Sequence, residues 1–568
     1  MALEKGIMFG VIVLVIALLS LFYVFIVQRL IFNVALVYEG NKTTNYCKNW
    51  FFKGETATLI FRVRNPYFTR VSLNFYLTPL DSYNKNTSYL VYSTTVPGAF
   101  ILPNTKDIKF NVDTNELNEC LYVIKVEAKG INLELNGSKQ SFQYNFESYP
   151  WMLAVMSNFQ TSNFSFTKAY DLVVPYGLGV NIHFINPNDQ QKFWLDMMKH
   201  AGFKLIRMDF VWDHIERSKG TYDFSDYLVL TEELKRRGMA PLYILDYGNP
   251  LYDNGLSPHT EEGRVAFANF AANATKKFSN YDIVWEIWNE PNIGFWKPSP
   301  NVDDYSKLAI ETAKKIHIVN KDTLVIAPAS SGIDLNFIRK FVEYNALNYL
   351  SAISVHPYRD SSPETVTDDY AKLRQLVNNK TIVSSEWGYA TSGLYGNKVD
   401  ILTQAKYLTR MYLVNLMNRV PITIMYDWKD DGIDPSNSEN SFGMIANEQI
   451  SLLFLGRESY FIKPAYYAVY TLTKNLNEFK FLERINIEND SSIYLLKFSN
   501  GLEQKFVIWT TLHNEKEVTL DLTKMNVTNV KRVELIKMFG EHKVVSITGN
   551  FLRIDINDAP TIMSFFEQ

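Results

Sequence analysis

Two short motifs place glutamates where a pair of carboxyl groups could do acid–base and nucleophilic work: Trp288-Asn289-Glu290-Pro291-Asn292 and Ser385-Glu386-Trp387-Gly388. Each closes a short apolar segment of strand character. Cleaving a glycosidic bond requires two such carboxyls, one to protonate the leaving oxygen and one to attack the anomeric carbon or activate water. The nucleophile must be ionised, which a neighbouring Arg favours. The acid must keep its proton near neutrality, which burial or a second carboxylate favours. Other apolar segments also close on polar residues: Asn181 and His183, Arg207 and Asp209, Asp246, His356 and Tyr358, and Asp427 and Trp428. Glu286 shares strand parity with Glu290 but lies four residues earlier, roughly 13 Å deeper, and reads as a structural ion partner.

The elements that must position these residues are legible from periodicity. Between residues 165 and 460, eight apolar segments are expected as strands: Gly177–Phe184, Phe203–Phe210, Ala240–Tyr247, Asp282–Glu290, Thr323–Ala329, Leu350–His356, Thr381–Trp387 and Pro421–Trp428. Helical spacing separates them. Trp194, Met197, Met198 and Ala201 make one stripe, Leu230 and Leu234 a second before Gly238, and Tyr305, Leu308, Ala309, Thr312, Ala313 and Ile316 a third. Eight such units predict a closed (β/α)8 barrel, whose active site forms at the carboxyl ends of its strands. Residues 33–150 and 475–568 show period-two alternation punctuated by turns. They predict an N-terminal immunoglobulin-like β sandwich, read as a spacer, and a C-terminal β sandwich.

The two glutamate motifs resemble those of clan A of the glycoside hydrolases. Gly179-Val180-Asn181-Ile182-His183-Phe184 with Asn-Glu-Pro-Asn is most similar to family 39 and its relatives, with family 5 next. The resemblance covers the barrel and, more loosely, the trailing sandwich. It implies Glu290 as general acid/base and Glu386 as nucleophile, with retention of anomeric configuration. It further implies that Asn289 binds the sugar 2-hydroxyl, Arg207 keeps Glu386 ionised, His356 and Tyr358 lie beside the nucleophile, and Trp428 is the stacking platform. Asp246 stands where family 5 often has His, a departure that separates this chain from that family's pattern.

Among the other aromatic residues, Trp296 is a second candidate for stacking on sugar. His183 and His356 read as hydrogen-bonding groups rather than metal ligands, because no His-Glu-x-x-His or Cys cluster completes a site. No metal and no cofactor are expected. Lys and Arg number 57 against 60 Asp and Glu, without a long basic run, so nucleic acid is not an expected partner. Residues 7–27 carry no charge and are long enough to cross a bilayer. They predict an uncleaved transmembrane anchor, preferred over a removed secretory peptide. Sequons at Asn41, Asn86, Asn136, Asn163, Asn273, Asn379, Asn489 and Asn526 favour a catalytic domain outside the cell, and Cys47 with Cys120 is a disulfide candidate there. The expectation is a single-pass, surface-displayed enzyme acting on an oligo- or polysaccharide. Alternatives are a non-catalytic glycan-binding or envelope-structural protein, or a transglycosylase using the same intermediate. Sugar, linkage and oligomeric state are not encoded in these patterns.

Overall fold

The computed structural model describes residues 33–38, 47–65, 70–83, 87–98, 104–133, 139–146, 151–393, 398–447, 459–487 and 490–566. The apolar run 7–27 lies outside them. Among the described residues no helix is long and apolar enough to cross a membrane. Contacts divide the chain into two compact units, residues 1–157 with 448–461, and residues 158–447 with 462–568.

Among its described residues the first unit contains two larger sheets and one two-stranded pairing. One orders Asn33–Tyr38, Thr56–Asn65 and Asn104–Asp113. The other orders Trp50–Phe52, Met152–Met156, Leu121–Leu133, Val71–Pro79 and Tyr89–Val96. Alternation sends Ala57, Leu59, Phe61 and Val63 to one buried face, and Val71, Leu73, Phe75 and Leu77 to another. The two faces meet as a sandwich, with Phe61 and Phe110 at 4.8 and 5.0 Å from Phe75 between ring centroids. Cys120 is buried in this unit. The side chain of Cys47 lies outside the described residues, and the disulfide expectation with it. Ser459–Tyr460 pairs with Cys47–Lys48, so residues 448–461, expected within the barrel region, belong to the first unit.

In the second unit eight parallel strands close into a barrel: β1 (Leu178–Asn181), β2 (Leu205–Val211), β3 (Ala240–Asp246), β4 (Val284–Ile287), β5 (Leu324–Ser331), β6 (Ala352–His356), β7 (Ile382–Trp387) and β8 (Thr423–Met425). All eight fall where the apolar segments predict them. Helices wrap the barrel with the expected faces inward. Asn188 and Gln191 form a capping box at the start of Asp189–His200, which buries Trp194, Met197 and Met198. Asn301 caps Val302–Val319, whose buried set includes all six predicted residues. Gly238, at φ +72°, ends the chain segment after Ser225–Arg236, a left-handed position that favours glycine.

The barrel interior is filled by Leu205, Leu242, Val284, Ile326, Ala352, Val383 and Ile424, with Phe164 and Tyr176 packed against them. Gly179 belongs to this tight layer: a Cβ there would lie 2.6 Å from the Leu205 carbonyl oxygen and 2.4 Å from Ile424 Cδ1. Gly179→Ala is expected to lower stability by about 1–3 kcal/mol through overpacking, read as a drop in Tm.

After the helix Pro464–Asn475, a six-stranded sheet orders Lys480–Ile485, Ile493–Ser499, Gln504–Thr510, Thr561–Phe566, Arg532–Lys537 and His542–Ser546, beside a ribbon of Lys516–Asp521 and Phe551–Ile556. This strand-rich region shares one compact unit with the barrel. A buried joint shows why. Arg410 Nε and Nη2 donate to Glu364 at 2.7 and 2.6 Å, and Trp509 Nε1 donates to the same carboxylate at 2.8 Å.

Candidate active site

The polar strand ends converge on a cleft of about 490 Å³ at the carboxyl end of the barrel, lined by Asn181, His183, Arg207, Asn289, Glu290, Tyr358 and Glu386 among others. Arg207 on β2 organises it. Its guanidinium is 1% exposed and donates to Glu286 from Nε (2.8 Å), to Asn181 and Glu386 from Nη1 (3.2 and 2.5 Å), and to Asn289 from Nη2 (2.8 Å). Glu286 is therefore the ion partner its depth implied. A planar fork with five donors suits this clustering of acceptors on several strands.

Glu386, on β7, also accepts a hydrogen bond from the Tyr358 hydroxyl at 2.8 Å. Burial alone would raise its carboxyl. The electrostatic pull of His356 and Arg207, with hydrogen bonds from Tyr358 and Arg207, holds it below the usual carboxylate range instead. Tyr358→Phe removes one of these stabilising bonds, so the Glu386 pKa is expected to rise. The acid limb of kcat/KM should then move to higher pH by about one unit. A pH profile with an unmoved acid limb would contradict this.

Glu290 follows β4 in a strained turn. Trp288 and Glu290 have φ of +69° and +46°, a left-handed conformation that costs non-glycine residues on the order of 1–3 kcal/mol and clusters at functional sites. The turn is pinned by the Glu290 N–H to the Ala329 carbonyl at 3.1 Å. The Glu290 carboxyl meets His356 Nδ1 at 2.9 Å, while His356 Nε2 faces Arg207 Nη2 at 3.3 Å. A guanidinium cannot accept a hydrogen bond. In either charge state of the ring, Nδ1 thus carries a proton and donates to Glu290 Oε1. Carboxylate oxygens of Glu290 and Glu386 lie within 4.8 Å of each other.

Not every expected residue reaches the cleft. Trp428 is 2% exposed and packs on Tyr466 of the following helix, at 6.0 Å between ring centroids. Trp296 is 1% exposed and packs on Trp288 and Tyr305. Neither can stack on a sugar, which corrects both expectations. The aromatic cleft walls are instead Tyr247, Phe295, Tyr426 and Phe442. Phe295 is 44% exposed and stacks on Tyr247 at 6.0 Å. Asp246 is fully buried behind the wall, whereas Asp209 lines the cleft. Strand parity pointed to Asp209, two residues from Arg207, but not to Tyr247, which follows the last residue of β3; Phe295, Glu439 and Phe442 lie outside the strands and carried no such signal.

His183 meets Asp427 at 3.4 Å. Burial opposes protonation of the ring, but Asp427 and further carboxylates raise it to about 9, while burial lifts Asp427 itself to about 7. His183, Asp427 and Asp431 bring ligand atoms within 4.8 Å of one another.

Barrel and cleft together define an O-glycosyl hydrolase of clan A, and the similarities agree. Residues 174–431 match the sequence model described as Cellulase (glycosyl hydrolase family 5). A family 39 glycoside hydrolase from the gut symbiont Bacteroides cellulosilyticus WH2 is 20% identical, with TM-score 0.66, covering 94% of this chain and 100% of that one. This likeness of fold extends well beyond the barrel, further than the motifs alone implied. A glucosidase from Croceicoccus marinus is 12% identical, with TM-score 0.50, covering 68% of this chain and 95% of that one. No curated protein matches the sequence.

Proposed function

We propose that the chain cleaves β-linked glycans by double displacement with retention, using Glu386 as nucleophile and Glu290 as acid/base. The observation that carries this reading is the pair of carboxyls within 4.8 Å in unequal environments. Retaining enzymes hold their carboxyls about 5–5.5 Å apart, against about 6.5–9.5 Å when a water must fit between. Glu386 attacks the anomeric carbon as Glu290 delivers its proton to the leaving oxygen. Because His356 donates to Oε1, that proton belongs on Oε2. Once Glu386 is esterified its negative charge is gone, Glu290 becomes the base, and it deprotonates the water that releases the sugar. Asn289, fixed by Arg207 and 3.3 Å from the Tyr247 hydroxyl, is assigned to the sugar 2-hydroxyl.

Family 39-like rather than family 5-like chemistry is favoured by Asp246 at β3 and by the extent of the likeness in fold. The enzyme is placed at the cell surface, anchored by residues 7–27, with extracellular glycan as substrate. Exposure of Asn163, Asn273, Asn379 and Asn526 suits them as glycan acceptors. The test is turnover of aryl β-glycosides and β-glucans by residues 34–568, with product anomers followed by NMR. Retained configuration supports the reading, and inversion overturns it. Silence across the panel moves the weight to a glycan-binding role. Protease digestion of intact cells checks the location: protection of the catalytic domain would overturn surface display.

A further inference from the structure

Asp246 stands on β3 with no exposed surface. Taken as a carboxylate, neither of its oxygens has a hydrogen-bond donor, an arrangement that costs several kcal/mol for an ion. The carboxyl that acts on it most strongly is Asp209 on β2, which lines the cleft. Register brings the two residues together: Asp209 pairs with Ile244 and Val211 with Asp246, so they are diagonal neighbours on the same face of adjacent strands. Two neighbouring buried acceptors are reconciled by a proton between them. Burial pushes Asp246 well above the usual carboxylate range, and the charge of Asp209 adds to this; burial raises Asp209 too, against the opposing charges of Arg207 and His183. The fully buried partner is therefore the one that keeps the proton.

We infer that Asp246 is a protonated positioning residue that holds Asp209 as the acceptor for a ring hydroxyl beyond C2 of the sugar at the bond-cleaving end of the cleft. This rests on the glycosidase reading above. The 2-hydroxyl is assigned to Asn289, whose amide bonds to Tyr247, the residue directly after Asp246. Asp209 is the adjoining wall on β2, so the next hydroxyls around the ring, at C3 and C4, fall to it. A carboxylate acceptor selects substrates that present a free hydroxyl there, and discriminates against those in which it is absent.

The experiment has two parts. Kinetics compare wild type and Asp209→Ala on an aryl β-glycoside and its 2-, 3-, 4- and 6-deoxy analogues. Asp209→Ala is expected to lower kcat/KM on the parent roughly ten- to a hundredfold, with the penalty vanishing on the 3-deoxy or the 4-deoxy analogue. An equal penalty on every analogue would sink the hydroxyl-acceptor role. Asp246→Asn, whose amide donates as the protonated acid does, should keep several-fold more kcat/KM than Asp246→Leu; equal losses would sink the positioning role. Independently of turnover, infrared difference spectra with 13C-labelled aspartate should show an acid carbonyl at neutral pH that Asp246→Asn removes. Its absence from wild type overturns the shared proton. Its presence in a protein that turns over no glycoside overturns the glycosidase reading and the acceptor role together, while leaving the acid pair standing.

Discussion

Glu386→Gly is expected to abolish turnover by roughly 10⁴-fold or more, and to give a glycosyl azide of inverted configuration when azide and an activated aryl glycoside are supplied. Removing the carboxyl leaves room for a small anion on the face of the sugar that Glu386 occupied, and a single displacement from that side inverts the centre. Glu290→Gln should behave differently. With a poor leaving group the rate falls roughly 10²–10⁴-fold, the worth of a positioned acid. With a dinitrophenyl leaving group no proton is needed, so the glycosyl-enzyme forms quickly and then stalls for want of a base. Azide, which needs no deprotonation, then releases the sugar with retained configuration. The anomer of the azide product thus assigns each carboxyl its role. The reverse pattern would exchange the two, and full activity in either variant would sink the pair.

The parts of this site that were legible in the sequence are those fixed by strand parity. A β-strand aims alternate residues one way, and the barrel puts its chemistry at the strand ends. Asn181, Arg207, Glu290, His356, Tyr358 and Glu386 could therefore be placed in one cleft before any coordinates. Counting residues at the strand rise gave Glu286 a structural ionic role, although not its partner, which is Arg207. What was lost lies beyond the strands. β8 is regular only from Thr423 to Met425, so parity no longer governed Trp428. Its ring turned to Tyr466 on a helix 36 positions later, and Tyr426 took the cleft face. Trp296 shows the same effect in a loop: it fills the space between Trp288 and Tyr305, a packing decision local pattern does not encode. The junction with the C-terminal sheet was likewise invisible, because Glu364, Arg410 and Trp509 meet across 145 residues.

Arg207→Met is expected to be the most destabilising single change at the cleft, by about 3–5 kcal/mol at neutral pH, because it leaves the charges of Glu286 and Glu386 without their partner. Glu286 is fully buried, so its charge cannot be recovered by water. The deficit has a signed pH dependence. In the wild type the Glu386 pKa is depressed, so its ionic contribution to stability is present above the unfolded carboxylate pKa and lost as pH falls through the folded one. In the variant the orphaned carboxyls protonate more readily than in the unfolded chain, so acidification relieves it. The two melting curves should approach one another below about pH 5. Arg207→Lys keeps the charge but replaces a fork that reaches five partners with a single point, so it should recover part of the stability and little of the activity. The double variant Arg207→Met with Glu286→Gln separates the two roles. Removing the buried carboxylate should restore much of the Tm, whereas Glu386 and Asn289 still lack the donors that hold them, so kcat remains low. Recovery of both together would mean that Arg207 serves only to neutralise Glu286, and that the nucleophile needs no guanidinium beside it.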